Sequence, residues 1–325
     1  MAFWDNWFGK KKDAPKKPVP LAKGKAATKA KPKPPEELPA VTAARRKGKT
    51  NIEKRFKLHH RLGQGSMSKV WRGTDTESGK TVVIKVLDKE KLELLKKRFV
   101  GMKRPDEGEV AVQLSHPHIV KTFEFGVTTH NEEYLVMELV DGVGFNFLVE
   151  TRAKQLVGRE IYYLEQIGEA IAYFHKRGFI HRDICPRNIM VDKDDQVKLI
   201  DFGLAVPDTP EFRKPGNRTG TANYMAPELL RRQHTDARID VYSFGVTAFE
   251  TFTGKLPVEM LTVSYDTMLK YMNVPARNPR DIRPDLSDEA TRVLMKGIAR
   301  LPDHRYQSMN AFLADLRGLR NEQQQ

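Results

Sequence analysis

Between residues 52 and 318 the hydrophobic period of the chain changes once, and that change constrains the fold more than any other feature. Strand-like runs come first: "FKLHHRL", "KVWRGT", "TVVIKVL", then "VKTFEF" and "EYLVMELV". After about residue 142 helical patterns take over, in "GREIYYLEQIGEAIAYFHKRG", "ARIDVYSFGVTAFETFTG", "SDEATRVLMKGIAR" and "SMNAFLADLRGL". Alternation buries one face of a strand, and a period near 3.6 buries one stripe of a helix. Strands followed by helices predict an α+β fold in two unequal lobes, residues 52–140 and 141–318. A cleft between lobes favours a small-molecule site. A helix is expected ahead of His116. Gly101, Pro105 and Gly108 in "GMKRPDEGEV" disfavour its running unbroken.

The residues before 52 read differently. Seven prolines fall between Pro15 and Pro39, among lysines and alanines. Such a stretch buries too little apolar surface to offset its ordering entropy, so residues 10–51 are expected to be a disordered linker. In front lies a short aromatic amphipathic segment, residues 1–9, where one helical turn would gather Phe3, Trp4, Trp7 and Phe8 on one side. Residues 319–325 read as a polar tail. Residues 1–50 carry 14 Lys/Arg against 4 Asp/Glu, so ten of the net fourteen positive charges sit there. Basicity is thus a property of this segment, and nucleic acid is not the expected partner of the lobes. An anionic membrane surface or a partner protein is expected at residues 1–50 instead. Cys185 is the sole cysteine, which excludes an intramolecular disulfide framework and fits a reducing compartment. With no apolar run long enough to span a bilayer and no secretory leader pattern, the expected location is the cytoplasm, with peripheral association at the inner membrane face as the alternative. No motif speaks to oligomeric state.

Three motifs carry chemistry. "LGQGSMSKV" sets Gly63 and Gly65 between two strand-like runs, and glycine lets backbone approach a phosphate without a Cβ clash. Alone it also reads as a plain hairpin. Ser68 stands where a third glycine would complete G-x-G-x-x-G, and neither the Rossmann nor the Walker pattern is present. Lys85 closes the apolar run "VVIK" and would aim an ammonium into a cleft. Glu107 or Glu109 could hold it from a helix. The strongest set is Asp183, Asn188 and Asp201, three oxygen-bearing side chains on loops that bracket "IMV" and "VKLI". A hard Mg2+ ion takes such oxygen ligands, with phosphates completing its shell. Asp183 is then free to orient a hydroxyl and accept its proton.

With "GQGSMSKV", "VVIK", "HRD", Asn188, "DFG" and "APE" in this order, residues 52–318 resemble a eukaryotic-type protein kinase. The tail "RYQSMNAFLADLRGL" is most similar to the bacterial Ser/Thr branch. The resemblance implies ATP and Mg2+ (or Mn2+) as cofactors and a protein substrate. It implies a nucleotide pocket of Leu62, Gly63, Gly65, Val70 and Lys85, with Glu107 pairing with Lys85. Met137 would be the gatekeeper, and Glu138 and Val140 would offer backbone groups to adenine. By the same resemblance Asp183 is the catalytic base, Asn188 and Asp201 hold the metal, Asp240 braces the catalytic loop, and Glu228 pairs with Arg305. Arg182 would meet a phosphate between Asp201 and Glu228, with Thr219 as first acceptor and Thr209 as second. Thr221 would bond near Asp183.

Three departures stand out. Cys185 occupies the place of the usual Ser/Thr-kinase lysine, and Arg187 is expected to supply the missing charge, as in many tyrosine kinases. No nearby motif supports a cysteine nucleophile. Glu107 is taken over Glu109 because it stands nine residues before His116, the family spacing. Gly144 replaces an acidic residue that some members use for ribose. "GTANYMAPE" has the Gly-Thr and Tyr of Ser/Thr kinases, so Ser/Thr is the expected acceptor, against the tyrosine or dual specificity that Arg187 suggests. The rival readings are a pseudokinase scaffold and a membrane or nucleic-acid binder driven by the basic N-terminus.

Overall fold

The computed structural model describes residues 44–64, 67–216, 218–258 and 273–323. The aromatic segment at Phe3–Phe8, the linker up to residue 43 and Gly65 lie outside the described residues. Six strands make the upper sheet: β1 (Ala44–Thr50), β2 (Phe56–Gln64), β3 (Ser68–Asp75), β4 (Thr81–Leu87), β5 (Thr122–Thr128) and β6 (Glu133–Met137), in the order β1-β5-β6-β4-β3-β2. Their core is β-branched and aromatic, with Phe56, Val82, Ile84, Val86, Tyr134 and Val136 buried together.

β1 corrects the expected boundary at residue 51. The chain joins the sheet at Ala44, parallel to β5, pairing Ala44 with Glu124 and Thr50 with Thr128. A run as basic as "ARRKGKT" lacks strand alternation, so its own composition gives no signal. The sheet edge supplies the order. Arg46 forks onto Glu77 at 2.8 and 2.6 Å, and Thr50 Oγ1 lies 2.9 Å from the Tyr134 hydroxyl. A short helix, α1 (Ile52–Arg55), turns the chain toward β2. Its Arg55 binds Glu124 at 2.5 Å and Asp75 at 3.4 Å, tying the turn to both β5 and β3.

The region ahead of His116 is broken, as its glycines and proline suggest. α2 (Lys89–Lys96) is capped by Asp88, runs into a 3-10 turn at Lys97–Phe99, and stops. Gly101 then takes φ +81°, a conformation that glycine alone adopts cheaply. The helix that follows, α3 (Glu107–Ala111), has five residues and a capping box from Asp106 and Glu109. It lies so close to β5 that a Cβ on Gly108 would sit 2.5 Å from the Phe125 ring.

The lower lobe is helical: α4 (Phe145–Glu150), α5 (Glu160–Lys176), α6 (Pro227–Leu230), α7 (Arg238–Thr253), α8 (Asp288–Gly297) and α9 (Met309–Gln323). α7 is buried almost along its length and ends on Gly254 at φ +70°. α9 runs to Gln323, which corrects the polar tail expected from residue 319. Phe312, Leu313, Leu316 and Leu319 form its buried stripe, and that packing carries the last turn. Two small sheets line the cleft floor. β7 (Gly142–Gly144), β9 (Ile189–Asp192) and β10 (Val197–Leu199) form one. β8 (Phe179–Ile180) and β11 (Val206–Pro207) form the other.

Candidate active site

Lys85 projects from β4 and is buried, as an ammonium at a strand centre must be if it is to face the cleft. Its Nζ lies 2.6 Å from Glu107 Oε1 and 3.0 Å from Asp201 Oδ1. Burial alone would lower its pKa. The charges of Asp201 and Glu107 outweigh that and raise it, so Lys85 is charged at neutral pH. Burial raises the Glu107 pKa, while the Lys85 charge and the nearby Phe202 backbone N–H oppose that rise. Glu109, the other candidate partner of Lys85, points the other way: it caps α3 and lies 4.0 Å from Arg45. Val70 is paired with Lys85 across β3 and β4. Leu62 is exposed at the cleft rim. Gly63 lies in β2 opposite Val70. Met137 ends β6. Beyond it the Glu138 amide bonds to the Lys121 carbonyl at 2.9 Å, and the Glu138 side chain pairs with Lys198 at 3.1 Å. The Glu138 carbonyl and Val140 amide make no backbone bond among the described residues.

On the floor, His181, Arg182 and Asp183 follow β8. Asp183 is bonded on both carboxylate oxygens. Oδ1 accepts from the Thr221 amide at 2.7 Å and its hydroxyl at 2.8 Å, and Oδ2 accepts from Asn188 Nδ2 at 2.8 Å. Beneath this loop lies Asp240, fully buried on α7. It accepts the amides of His181 and Arg182, each at 2.8 Å, and His175 Nε2 at 2.8 Å. Burial works against its charge, but the His175 bond and the neighbouring groups outweigh it and lower its pKa. Arg182 takes φ +70° and Asp201 φ +66°. Burial brings the Arg182 guanidinium down to about 10, with Asp240 opposing. Glu228 and Arg305 form a bidentate buried pair at 2.6 Å on each side.

Phe202, after Asp201, is 2% exposed and stacks on Phe174 at 5.7 Å, with His181 edge-on to it at 5.8 Å. That aromatic packing sets the direction of the Asp201 side chain. Burial raises the pKa of Asp201, but the Lys85 charge and the Gly203 N–H outweigh it, so the carboxylate stays ionised. Its Oδ1 is engaged by Lys85 and Gly203, and Oδ2 has no bond among the described residues. Asn188 spends its amide nitrogen on Asp183, which leaves its oxygen facing away from that carboxylate. An ionised carboxylate and an amide oxygen with open valence fit a Mg2+ ion.

Cys185 is buried, and its Sγ lies 3.6 Å from Thr221 Oγ1. Burial, reinforced by the Asp183 charge, pushes the thiol up to about 12, so no thiolate nucleophile forms near neutral pH. Arg187 is exposed, and its charge is felt at Glu250 and Tyr224. Thr209 is exposed, whereas Thr219 is buried and its hydroxyl makes no hydrogen bond among the described residues. Sequence reasoning passed over three contributors. His175 supports Asp240. Tyr224 donates to Glu250 at 2.5 Å beneath the 221–225 turn. Arg104 donates to the carbonyls of Gly203 and Ala205. His175 on α5 and Glu250 on α7, the acceptor of Tyr224, sit on helix faces whose direction appears only once those helices pack. Arg104 stood in "GMKRPDEGEV" as a polar residue among helix breakers, with no helical face to require it.

Among the described residues no helix is long and apolar enough to cross a membrane. The chain is 32% identical over 273 residues to a probable serine/threonine-protein kinase of Clostridium acetobutylicum, covering 84% of this chain and 41% of that protein. It is 34% identical to serine/threonine-protein kinase PknB of Mycolicibacterium smegmatis, covering 82% and 43%. It is 32% identical to serine/threonine-protein kinase PknA of Mycobacterium tuberculosis, covering 79% and 59%. The chain thus spans about half the length of the curated relatives it matches. The protein kinase domain model matches residues 56–315. With that match spanning the cleft, both of its walls and the helices beneath, the chain belongs to the protein kinase domain family.

Proposed function

We propose that the chain is an ATP- and Mg2+-dependent protein kinase that transfers the γ-phosphoryl group to Ser or Thr of a protein substrate, itself included. The observation that carries this reading is the junction at Lys85, whose ammonium touches both Glu107 and Asp201. It gathers a phosphate-side cation, the helix that holds it and a metal-side carboxylate at one point. Lys85 positions the α- and β-phosphates, and the Glu138 carbonyl and Val140 amide receive adenine, with Leu62, Gly63, Gly65, Val70 and Met137 around it. Asn188 and Asp201 hold the metal, which when bound neutralises charge on the β- and γ-phosphates. Asp183 orients the acceptor hydroxyl. The hydroxyl oxygen bonds to the γ-phosphorus, the bond to the β–γ bridging oxygen breaks, ADP leaves, and the hydroxyl proton passes to Asp183. Arg187 supplies positive charge near the transferred group, where Cys185 has none to give.

The names of the relatives and "GTANYMAPE" support Ser/Thr as acceptor. Phosphorylation within residues 201–228 would act through Arg182. Thr209 is the reachable hydroxyl, and Thr219 becomes reachable when the segment opens. The residues ahead of β1 dock on an anionic membrane surface or on a partner protein. Sedimentation with anionic vesicles at low and high salt separates these, since a membrane contact made by Trp4 and Trp7 as well as lysine weakens in both Trp→Ala variants. The deciding experiment for activity is incubation with labelled ATP and Mg2+, then mapping of labelled residues. Phosphothreonine or phosphoserine is expected. No label in any acceptor leaves the scaffold reading, and phosphotyrosine alone overturns the acceptor class.

A further inference from the structure

The broken stretch before α3 does more than lead into that helix. It crosses to the lower lobe and lies on the segment that follows Asp201. Phe99 is 5% exposed and joins Leu95, Val206, Phe212, Met225 and Leu229 in one apolar cluster, with the Phe99 and Phe212 rings 6.2 Å apart. The Arg104 guanidinium lies 5.2 Å from the centre of the Phe99 ring, so the aromatic face fixes where it sits. From there Nε donates to the Ala205 carbonyl at 3.1 Å and Nη2 to the Gly203 carbonyl. Gly203 in turn donates its amide to Asp201 Oδ1 at 3.1 Å. Three residues after Arg104, Glu107 binds Lys85 at 2.6 Å, and Lys85 in turn binds Asp201 at 3.0 Å. One short run, 104–107, therefore reaches the Asp201 turn by two routes: the Arg104 guanidinium directly on its carbonyls, and the Glu107 carboxylate through Lys85.

We infer that Arg104 is a positioning residue for the metal-side carboxylate, acting through the carbonyls of Gly203 and Ala205 to hold the turn that presents Asp201. Two bonds from a charged, planar donor in a partly dry site are strong and directional. No other described side chain bonds to either carbonyl. A turn freed at these carbonyls keeps Asp201 near Lys85 but lets its second oxygen wander, and metal affinity is the first property to suffer. The inference rests on the kinase reading, and its test is chosen to survive the failure of that reading.

The full chain is compared with Arg104→Ala and Arg104→Lys in two measurements: phosphate transfer as Mg2+ is titrated at fixed ATP, and calorimetric ATP binding across the same Mg2+ range. Arg104→Ala should raise the Mg2+ concentration for half-effect several-fold in both, and lower kcat by about tenfold or more, since misplacement by about 1 Å can cost about 100-fold. The KM for peptide should hardly move. Arg104→Lys should fall between, because a single ammonium does not reproduce the two-bond fork. If Arg104→Ala loses thermal stability but keeps the wild-type Mg2+ dependence, Arg104 is structural only and the inference is overturned. Should Arg104→Ala not fold, an unchanged Mg2+ dependence in Arg104→Lys overturns it instead. A wild-type chain that binds ATP with Mg2+ but transfers no phosphate refutes the kinase reading, while the binding arm still decides the role of Arg104.

Discussion

The two walls of the cleft are held by different means. The lower wall is fixed several times over. Asp240 alone accepts three hydrogen bonds at 2.8 Å from two parts of the chain, and Glu228 and Arg305 lock the same layer with two bonds at 2.6 Å. The upper wall depends on a five-residue helix reached through a loop that breaks at Gly101, tied to β4 by Glu107 and Lys85 and to the opposite lobe through Lys85 on Asp201 and Arg104 on Gly203 and Ala205. Damage to the lower brace should therefore appear as lost stability. Damage to the upper wall should appear as lost rate in a chain that still folds.

The largest effect tests the floor itself. Asp183→Asn should cut phosphate transfer by about 10²–10⁴-fold, the usual worth of a positioned base, with ATP affinity within about twofold of wild type. Calorimetry and label transfer check this together, and activity above about a tenth of wild type removes Asp183 as the base. Next, Glu228→Ala should destabilise the chain by about 3–5 kcal/mol in denaturant unfolding, because Arg305 is left buried and unpaired. Glu107→Gln should barely shift that unfolding curve, yet lower kcat by about tenfold or more as Lys85 loses its place. Equal stability losses in the two variants would erase the contrast between the walls.

Acid sharpens the same contrast. Asp240 has a folded pKa below its unfolded value, so its stabilisation is present at neutral pH and is lost as pH falls through the folded value. Thermal midpoints should drop steeply below about pH 4, near the ordinary aspartate range, and Asp240→Asn should flatten that fall. The smallest effect concerns the single thiol. Arg187→Ala should reduce activity by about tenfold or more if its charge acts on the transferred group, whereas Cys185→Ala should stay near wild type. Cys185→Lys should restore part of the loss in the Arg187→Ala background. A large loss from Cys185→Ala, or equal mild effects from both, would sink the assignment of the charge to Arg187.

Much of this was legible in the chain. The strand runs from Phe56 to Met137 and the helix α5 lie where their patterns put them, because burial on one face writes a period into the sequence, while α7, buried on nearly every side, shows itself as a long, mostly apolar run bounded by Gly254. Lys85, Asp183, Asn188 and Asp201 are singled out by residue type and order, and the fold brings Lys85 to Asp201 and Asn188 to Asp183. What escaped notice depends on partners distant in sequence. β1 is a basic run made into a strand by the edge of β5 and by Glu77 and Glu124. The fold of residues 97–106 onto the segment after Asp201 rests on Phe99 meeting Phe212, two residues more than a hundred positions apart. The choice of Glu107 over Glu109 rests on its spacing to His116, not on any helical period, and its Oε1 lies 2.6 Å from Lys85 Nζ.

Arg182 and Asp201, which flank or form the segments that carry Asp183 and the 201–203 turn, are two of six described non-glycine residues with left-handed backbone. Each such residue stores about 1 kcal/mol or more that a glycine would release. On the proposed reading, two of the strained positions are ones where the chemistry uses a side chain. Selection for heat resistance alone would drift toward glycine at both positions and toward a silent cleft, so in this chain the most durable sequence and the most active one are different sequences.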